Sequence, residues 1–382
     1  MKNIILPYVY RLLKALFLIV SAFSMARGED VRFPPEAEVV NVVETYGVDN
    51  TGTRDVTEVL NRIWKSHRKR PSVLFFPKGT YLVSGMVQGT QTYIQGDHSE
   101  YKAGPLIIGE NRDETIIRLK DGTWPDPAFD VMGKLPRQNL GQVVLHNGDA
   151  NNVNFYQIIE NLTVNLGRGN AGAIGVAYMT SNTGHLSNVR IKSEDGQGHV
   201  GLALLGIENG PGTVRNVEIE GFDYGIVADT YYQMVLHDLR IQSKGPALHS
   251  RGRLVIEDLV AERLTPGPVI VSGGWFTLVG AELKGTGTSA IQFGGPFYAR
   301  SVETSGFDKA LETQEGFKPY YPIPDTAAVG EYVAGEAAGL FGARPESLKL
   351  PVRKTPKLDW ETDASKWTSI RSFKTPDNTW TE

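Results

Sequence analysis

A chain of 382 residues, 41% of them hydrophobic, can bury a large core as one big domain or two ordinary ones, which excludes a disordered tail. Lys and Arg (39) nearly balance Asp and Glu (43) for a net charge of −4, so no broad basic surface exists to release counterions from nucleic acid. With Cys 0, disulfides, thiolate metal sites and cysteine nucleophiles are excluded as well.

The first predicted element is a leader. Lys2, Arg11 and Lys14 precede an apolar run from Ala15 to Phe23, and Ala26-Arg27-Gly28 supplies a small-residue cleavage site before Glu29. The run is short for a bilayer span, so residues 1–28 are expected to be a signal peptide rather than an uncleaved anchor. The expected location is periplasmic or extracellular, with no transmembrane span after cleavage.

Next comes "ETYGVDNTGTRDVTEVLNRIW", Glu44 to Trp64, a turn rich in Gly, Asn, Asp and Thr that runs into an amphipathic helix. Val56, Val59, Leu60, Ile63 and Trp64 lie on or near one helical face, which suits a cap over the end of a stack. "SVLFFPKGTYLVSG" and "GENRDETIIRLKDG" then read as first strands and turns.

Between residues 155 and 315 the sequence repeats. Asn161, Asn188, Asn216, Asp238, Asp258, Gly280 and Ser301 each interrupt an alternating apolar/polar strand, at a spacing that settles to about 20 to 22 residues, the signature of a solenoid. Each repeat carries a second strand, such as "GLALL", "GIVAD" or "ALHSR", with little helical periodicity. The prediction is an all-β, right-handed parallel β-helix over residues 29–316 with a short N-terminal capping helix. Asn at the corner tolerates a left-handed backbone, and stacked copies can form a ladder of amide hydrogen bonds. Val189, Ile191, Val217, Ile219, Leu239 and Ile241 should point inward, leaving Arg190, Glu218 and Arg240 as a solvated charge ladder. From 317 to 382 the repeat gives way to Pro-containing sequence, "FKPYYPIPDTAAVG", that reads as a linker.

"YGVDNTGTRDVTEVLNRI" followed by "VLFFPKGTYLVSG" resembles the N-terminal signature of the pectate lyase superfamily domain, also called the rhamnogalacturonase/epimerase-like β-helix. That resemblance implies a polysaccharide-active protein, while the superfamily spans hydrolases, lyases, epimerases and phage spikes. "WTSIRSFKTPDNTWTE" partly repeats the signature, which is similar to the arrangement in glycoside hydrolase family 55, where two β-helices flank the active site. On that likeness a second, truncated β-helix starts near the C-terminus and continues in a further domain beyond residue 382.

The candidate site follows from outward positions on the second strand column. "GHVGLALLG" resembles the G-H-G motif of family 28 polygalacturonases and places His199 before its strand; Asp223 and Asp229 bracket the next, and His249 and Arg251 follow on the rung after. No N-T-D or D-D pair falls in register, and "RIK" (Arg190 to Lys192) lies on the other column, so family 28 chemistry does not carry over. Asp223 and Asp229 are the expected catalytic carboxylates, with oxygens about 5 to 10 Å apart if they divide acid and base roles. His199, His249, Arg251 and Tyr231 are the expected substrate ligands, with an ordinary Asp229–Arg251 ion pair as the bland reading. Glu282 and Glu303 are a second-choice carboxylate pair, and Trp275 is either a stacking platform or core. No motif for a metal or a cofactor is present. The expected function is a secreted glycoside hydrolase or polysaccharide lyase acting on pectin-like or β-glucan substrates; the alternative is a non-catalytic carbohydrate-binding or surface-adhesion β-helix.

Overall fold

The computed structural model describes residues 30–34, 37–67, 72–88, 105–127, 140–148, 154–206, 208–337, 339–343 and 346–347. The expected signal peptide and the C-terminal echo of the signature lie outside the described residues.

The chain opens with β1 (Val39–Asn41), α1 (Val42–Tyr46), β2 (Thr51–Asp55) and α2 (Thr57–Ser66). Successive turns then contribute β3 (Val73–Phe76), β4 (Gly79–Val83) and β5 (Val87–Gln88), followed by β6 (Leu106–Gly109), β7 (Thr115–Leu119) and β8 (Val143–His146). After β9 (Ile158–Asn165) and β10 (Ile174–Ala177) come β11 (His185–Lys192), β12 (Gly198–Gly206) and the long β13 (Gly212–Thr230). The last turns are β14 (Gln233–Ser243) with β15 (Leu248–Ser250), β16 (Arg253–Arg263) with β17 (Ile270–Ser272), β18 (Trp275–Phe293), β19 (Phe297–Thr313) and β20 (Ala328–Val333).

These strands stack in parallel columns, all-β among the described residues apart from the short helices. Column A holds β1, β3, β6 and the leading halves of β9, β11, β13, β14, β16, β18 and β19. Column B holds β2, β4, β7 and the second halves of the longer strands. Column C runs through β5, β8, β10, β12, the end of β13, β15, β17 and the ends of β18 and β19.

Column A turns into column B at the repeating anchor residue. Asn161 (φ 60), Asn188 (φ 53), Asn216 (φ 50), Asp238 (φ 52), Asp258 (φ 56) and Ser301 (φ 53) all take the left-handed conformation, as does Gly280 (φ 69). The amides also bond to one another, as the sequence predicts: Asn216 Nδ2 donates to Asn188 Oδ1 at 2.9 Å, Asn188 donates to Asn161, and Asn161 Nδ2 donates to the carbonyls of Gly109 (3.0 Å) and Glu110 (2.9 Å). An ionised carboxylate has no donor, so the ladder stops where Asp238 replaces Asn.

On either side of the corner alternate residues turn inward. Val189 and Ile191, Val217 and Ile219, and Leu239 and Ile241 are buried in one continuous core. Each such side chain stabilises the coil by about 1.5–3 kcal/mol relative to exposure. Their outward neighbours Arg190, Glu218 and Arg240 lie in register, and Arg190 pairs with Glu218 and with Asp113, each at 2.8 Å. These partly exposed pairs are worth at most about 1 kcal/mol each.

The first turn is locked by the signature itself. Asp49 accepts from Thr51 Oγ1 (2.8 Å) and from the backbone N–H groups of Thr53 (3.2 Å) and Arg54 (3.0 Å), while Asn50 Nδ2 donates to the Lys78 carbonyl at 2.8 Å. Gly79 lies so close that a Cβ there would meet the Asn50 carbonyl oxygen at 2.3 Å. Leu60, Ile63 and Trp64 of α2 are buried in the core, and Asn61 ties the helix to β5 through the Gln88 N–H and the Met86 carbonyl. At the opposite end, part of the segment expected to be linker folds back: β20 pairs antiparallel with β19, Tyr298 opposite Val333 and Val302 opposite Val329.

Candidate functional site

Alternation along β13 directs Ile226 and Ala228 into the core and leaves Val227 and Asp229 on the outer face of column C. In the earlier coils that face is not an open groove. Val143, Ile174, Val200, Ala203, Leu205 and Val227 form a second buried apolar cluster there with Leu140, and every residue of β12 is buried. His199 and His249, expected as substrate ligands at the surface, are accordingly only 6% and 9% exposed. They flank Tyr224, with ring centroids 5.9 Å and 6.3 Å from it, in edge contacts. Burial, and then the charge of Arg251, hold His249 below the ordinary histidine pKa of 6.5, which keeps the ring neutral near pH 7.

The two expected catalytic carboxylates do not meet. Asp223 lies midway along β13, where the strand enters column C, 3.6 Å from His199 Nδ1 and 3.6 Å from Lys244 Nζ. Asp229 is six residues further along β13, which at about 3.3 Å per residue sets the two about 20 Å apart. A carboxylate pair sharing acid and base roles needs about 5–10 Å. The expectation of an Asp223/Asp229 pair is therefore corrected: strand rise separates them, and Asp229 instead meets Arg251 of the next coil, Oδ2 to Nη2 at 3.9 Å.

Around Asp229 the chain does form a concavity. A cleft of about 340 Å³ is lined by Asp229, Thr230, Tyr231, Arg251, Gly252, Arg253, Gly273, Gly274 and Trp275. Its depth comes from backbone packing where β13, β15 and β17 leave column C. A Cβ on Gly274 would meet the Gly252 carbonyl oxygen at 2.1 Å, so no other residue fits there without movement. One wall is a sandwich: the Arg253 guanidinium lies 4.9 Å from the Tyr231 ring centroid and 5.2 Å from that of Trp275. Tyr231 is 57% and Trp275 61% exposed, so Trp275 is a surface platform and not core. Exposed rings held flat by a cation suit the apolar face of a sugar ring.

Of the predicted residues, the structure thus brings Asp229, Arg251 and Tyr231 together and leaves Asp223, His199 and His249 outside the cleft lining. Glu282 and Glu303 are directly opposed in register on column B, both exposed, and neither lines the cleft. Arg253 escaped the sequence reading. In "RGRLVIEDL" it looks like a charge at a strand edge, and only the register of Arg253 with Trp275 reveals its role. Among the described residues no group of three or more His, Cys, Asp or Glu could hold a metal ion, and no helix is long and apolar enough to cross a membrane.

Parallel columns turning at a left-handed Asn corner, with a polar cleft where one column ends, define a pectate lyase-like β-helix protein. The chain belongs to the family described as rhamnogalacturonase A/epimerase, pectate lyase-like, whose profile matches residues 39–262. No curated protein matches the chain. Among solved structures it is similar to the ORF18 protein of Geobacillus virus E2, at 12% identity over 72% of this chain and 63% of that one, with a TM-score of 0.36. It is also similar to the catalytic unit of a thermostable GH87 alpha-1,3-glucanase from Streptomyces thermodiastaticus (14% identity, 76% of this chain and 68% of that one, TM-score 0.30). A third likeness is to YbhC of Escherichia coli (13% identity, 86% and 85%, TM-score 0.38). The chain thus spans less than two thirds of the length of the viral protein, and no residue role is carried over from any of these structures.

Proposed function

We propose that the protein is a secreted polysaccharide-active enzyme that takes an acidic, pectin-like glycan into the Asp229–Trp275 cleft and cleaves it by elimination. The observation that supports this best is the make-up of the cleft: one carboxylate, Asp229, beside the guanidinium groups of Arg251 and Arg253 and two exposed rings. Hydrolysis in the usual manner divides its work between two carboxyl groups, and the described lining has one. Elimination from a uronate needs a cation against the sugar carboxylate and a base near the adjacent C–H. Arg251 offers a planar fork that matches a carboxylate, and Asp229 is the group in reach that can accept the proton. The base takes the C5 proton, that electron pair forms the C4=C5 double bond, the C4–O bond breaks, and the departing oxygen takes a proton from solvent. Two cations also favour an acidic glycan over a neutral β-glucan.

On this reading the coil is a right-handed parallel β-helix closed at its first turn by α2, residues 1–28 direct secretion, and a further β-helix follows the described chain. A second reading, non-catalytic carbohydrate binding, is favoured by the lone carboxylate of the cleft. Incubation of the full chain with polygalacturonate, alginate and a β-1,3-glucan, followed for unsaturated ends and for reducing ends, separates the cases. The proposal expects unsaturated ends from an acidic glycan, lost in Arg251→Ala. Reducing ends without unsaturation would overturn elimination, and retained binding with no product would favour the binding module.

A further inference from the structure

Alternation along column A leaves two rows of side chains on its outer face. One row is mainly apolar and β-branched: Ile158, then Thr213, Val235, Val255 and Thr277, then Tyr298, with His185 between the first two. The other, two residues further along each strand, runs Glu160, Ser187, Arg215, His237, Glu257, Val279, Arg300. None of these is buried, whereas residues between the rows, such as Leu186, Leu236 and Leu278, are core. An apolar strip left open along the length of a stack marks an interaction surface.

The order of charges on the second row points to the partner. Counted outward from His237 in either direction, opposite signs fall at equal distances: Arg215 answers Glu257, and Glu160 answers Arg300, with the uncharged Ser187 and Val279 between them. From this we infer that the face is a dimer interface, on which a second copy of the chain packs with its coils running the opposite way. The two-fold axis lies parallel to the strands at the coil of Val235 and His237, and it sets each residue against the one equally far on the other side. Arg215 then meets the partner's Glu257, and Glu160 meets the partner's Arg300. The apolar row matches in the same register, with Val235 on the partner's Val235, Val255 on the partner's Thr213 and Tyr298 on the partner's Ile158. A hollow of about 390 Å³ that includes Val255, Thr277 and Tyr298 in its lining receives those side chains. The adjoining row of Gln233, Arg253 and Trp275 bounds the panel, which places the Asp229 cleft at its border.

Other arrangements are worse. Moving the axis by one coil sets Arg215 on the partner's Arg215 and Glu160 on the partner's Glu257, or Glu257 on the partner's Glu257 and Arg215 on the partner's Arg300. A half-coil shift forms no guanidinium–carboxylate pair at all. Copies running the same way lay each charge on its own kind or on the apolar row, and such contacts act against the wrong register. Within the chain Glu160 pairs with His185 at 3.4 Å and Glu257 with His237 at 3.7 Å, looser contacts than an arginine fork makes. On the coils just outside the panel Ile108 and Glu331 fall opposite each other, so the match ends there. Coils spaced by about 4.8 Å and rows by about 6.6 Å give a panel of about 900 Å² over both copies, the size of a reversible dimer with a micromolar dissociation constant.

The test is sedimentation equilibrium of the full chain from about 1 to 200 μM, where the parent should pass reversibly from monomer to dimer. Arg215→Glu and Glu257→Arg each create two like-charge contacts per dimer, so each should weaken association by about 100-fold. The double variant restores both pairs with their signs exchanged and should return to within about threefold of the parent, which a folding defect would not do. The chain has Cys 0, so a short thiol-reactive cross-linker reports the geometry. Val235→Cys lies on the axis and should give a covalent dimer, whereas Thr277→Cys, about 19 Å from its own copy, should not. A parent that stays monomeric, a dimer that ignores both single swaps, a double variant no tighter than the singles, or cross-linking through Thr277→Cys in place of Val235→Cys would each overturn the interface. None of these readouts depends on what the Asp229 cleft binds.

Discussion

Replacing Asn188 by Ala tests whether the corner ladder holds the coils together. Asn188 sits at φ 53, donates to Asn161 and accepts from Asn216 Nδ2 at 2.9 Å. Removing the side chain deletes both hydrogen bonds, about 1 kcal/mol each, one to the buried Asn161 and one to the half-buried Asn216. Ala also pays about 1–2 kcal/mol for the left-handed conformation. The expected loss is about 3–4 kcal/mol. Asn188→Gly removes the same bonds without the backbone penalty, so it should cost about 2 kcal/mol. Asp258→Gly, at a corner outside the amide ladder, should cost less than Asn188→Gly. The assay is urea unfolding followed by circular dichroism, comparing midpoints at unchanged slope. An Ala variant within about 0.5 kcal/mol of the parent, or equal losses for Ala and Gly, would refute the reasoning.

Three further outcomes follow from the cleft and its surroundings. Trp275→Ala should weaken an acidic oligosaccharide by about two- to tenfold in titration calorimetry, yet leave the unfolding midpoint unchanged, because the ring is 61% exposed. Gly274→Ala should lower the unfolding midpoint by more than about 2 kcal/mol equivalent, since the new Cβ meets the Gly252 carbonyl oxygen at 2.1 Å; a stable variant that binds normally would show that this close backbone packing is dispensable. For pH, His249 and His67 are both held below the ordinary value of 6.5, chiefly by burial. Below about pH 6.5 the unfolded chain takes up protons that the folded chain resists, so stability should fall as pH drops from there and level off below the folded pKa values. His249→Gln should flatten part of that slope in unfolding measured from about pH 7 to pH 5, and an unchanged slope would mean that the ring is not shielded as described.

The repeat was legible because its anchor residues carry the corner in their chemistry. Asn, Asp, Ser and Gly accept φ near +50 to +70°, and each anchor resets the alternation that sorts inside from outside. The site was less legible because stacking rewrites neighbourhood. Asp229 lies 3.9 Å from Arg251, which is 22 residues away in sequence, yet about 20 Å from Asp223, six residues back on the same strand. Rungs are about 4.8 Å apart, so one coil on is closer than two residues along. Exposure was misjudged for a related reason. Alternation says that His199 and His249 leave the core, but whether an outward residue meets water depends on its neighbours, and here both rings lie buried against Tyr224, which packs on an apolar cluster.

That contrast bears on how far the family signature reaches. In "GVDNTGTRD" the side chains of Asp49 and Asn50 are spent on backbone groups, on Thr51 and on the Lys78 carbonyl, and Gly79 is required by close packing. A motif whose polar atoms are consumed by its own turn can start a coil and has little left with which to act on a substrate. The signature therefore speaks to the architecture and not to the chemistry. The cleft lies far along the chain, and the family match, which ends at residue 262, takes in Asp229, Arg251 and Arg253 but stops short of Gly273, Gly274 and Trp275. The matched residues thus supply Asp229 and both guanidinium groups, and residues beyond the match supply Trp275 and the close-packed glycines. The family match therefore accounts for the coil, while the cleft is completed by residues that it does not reach.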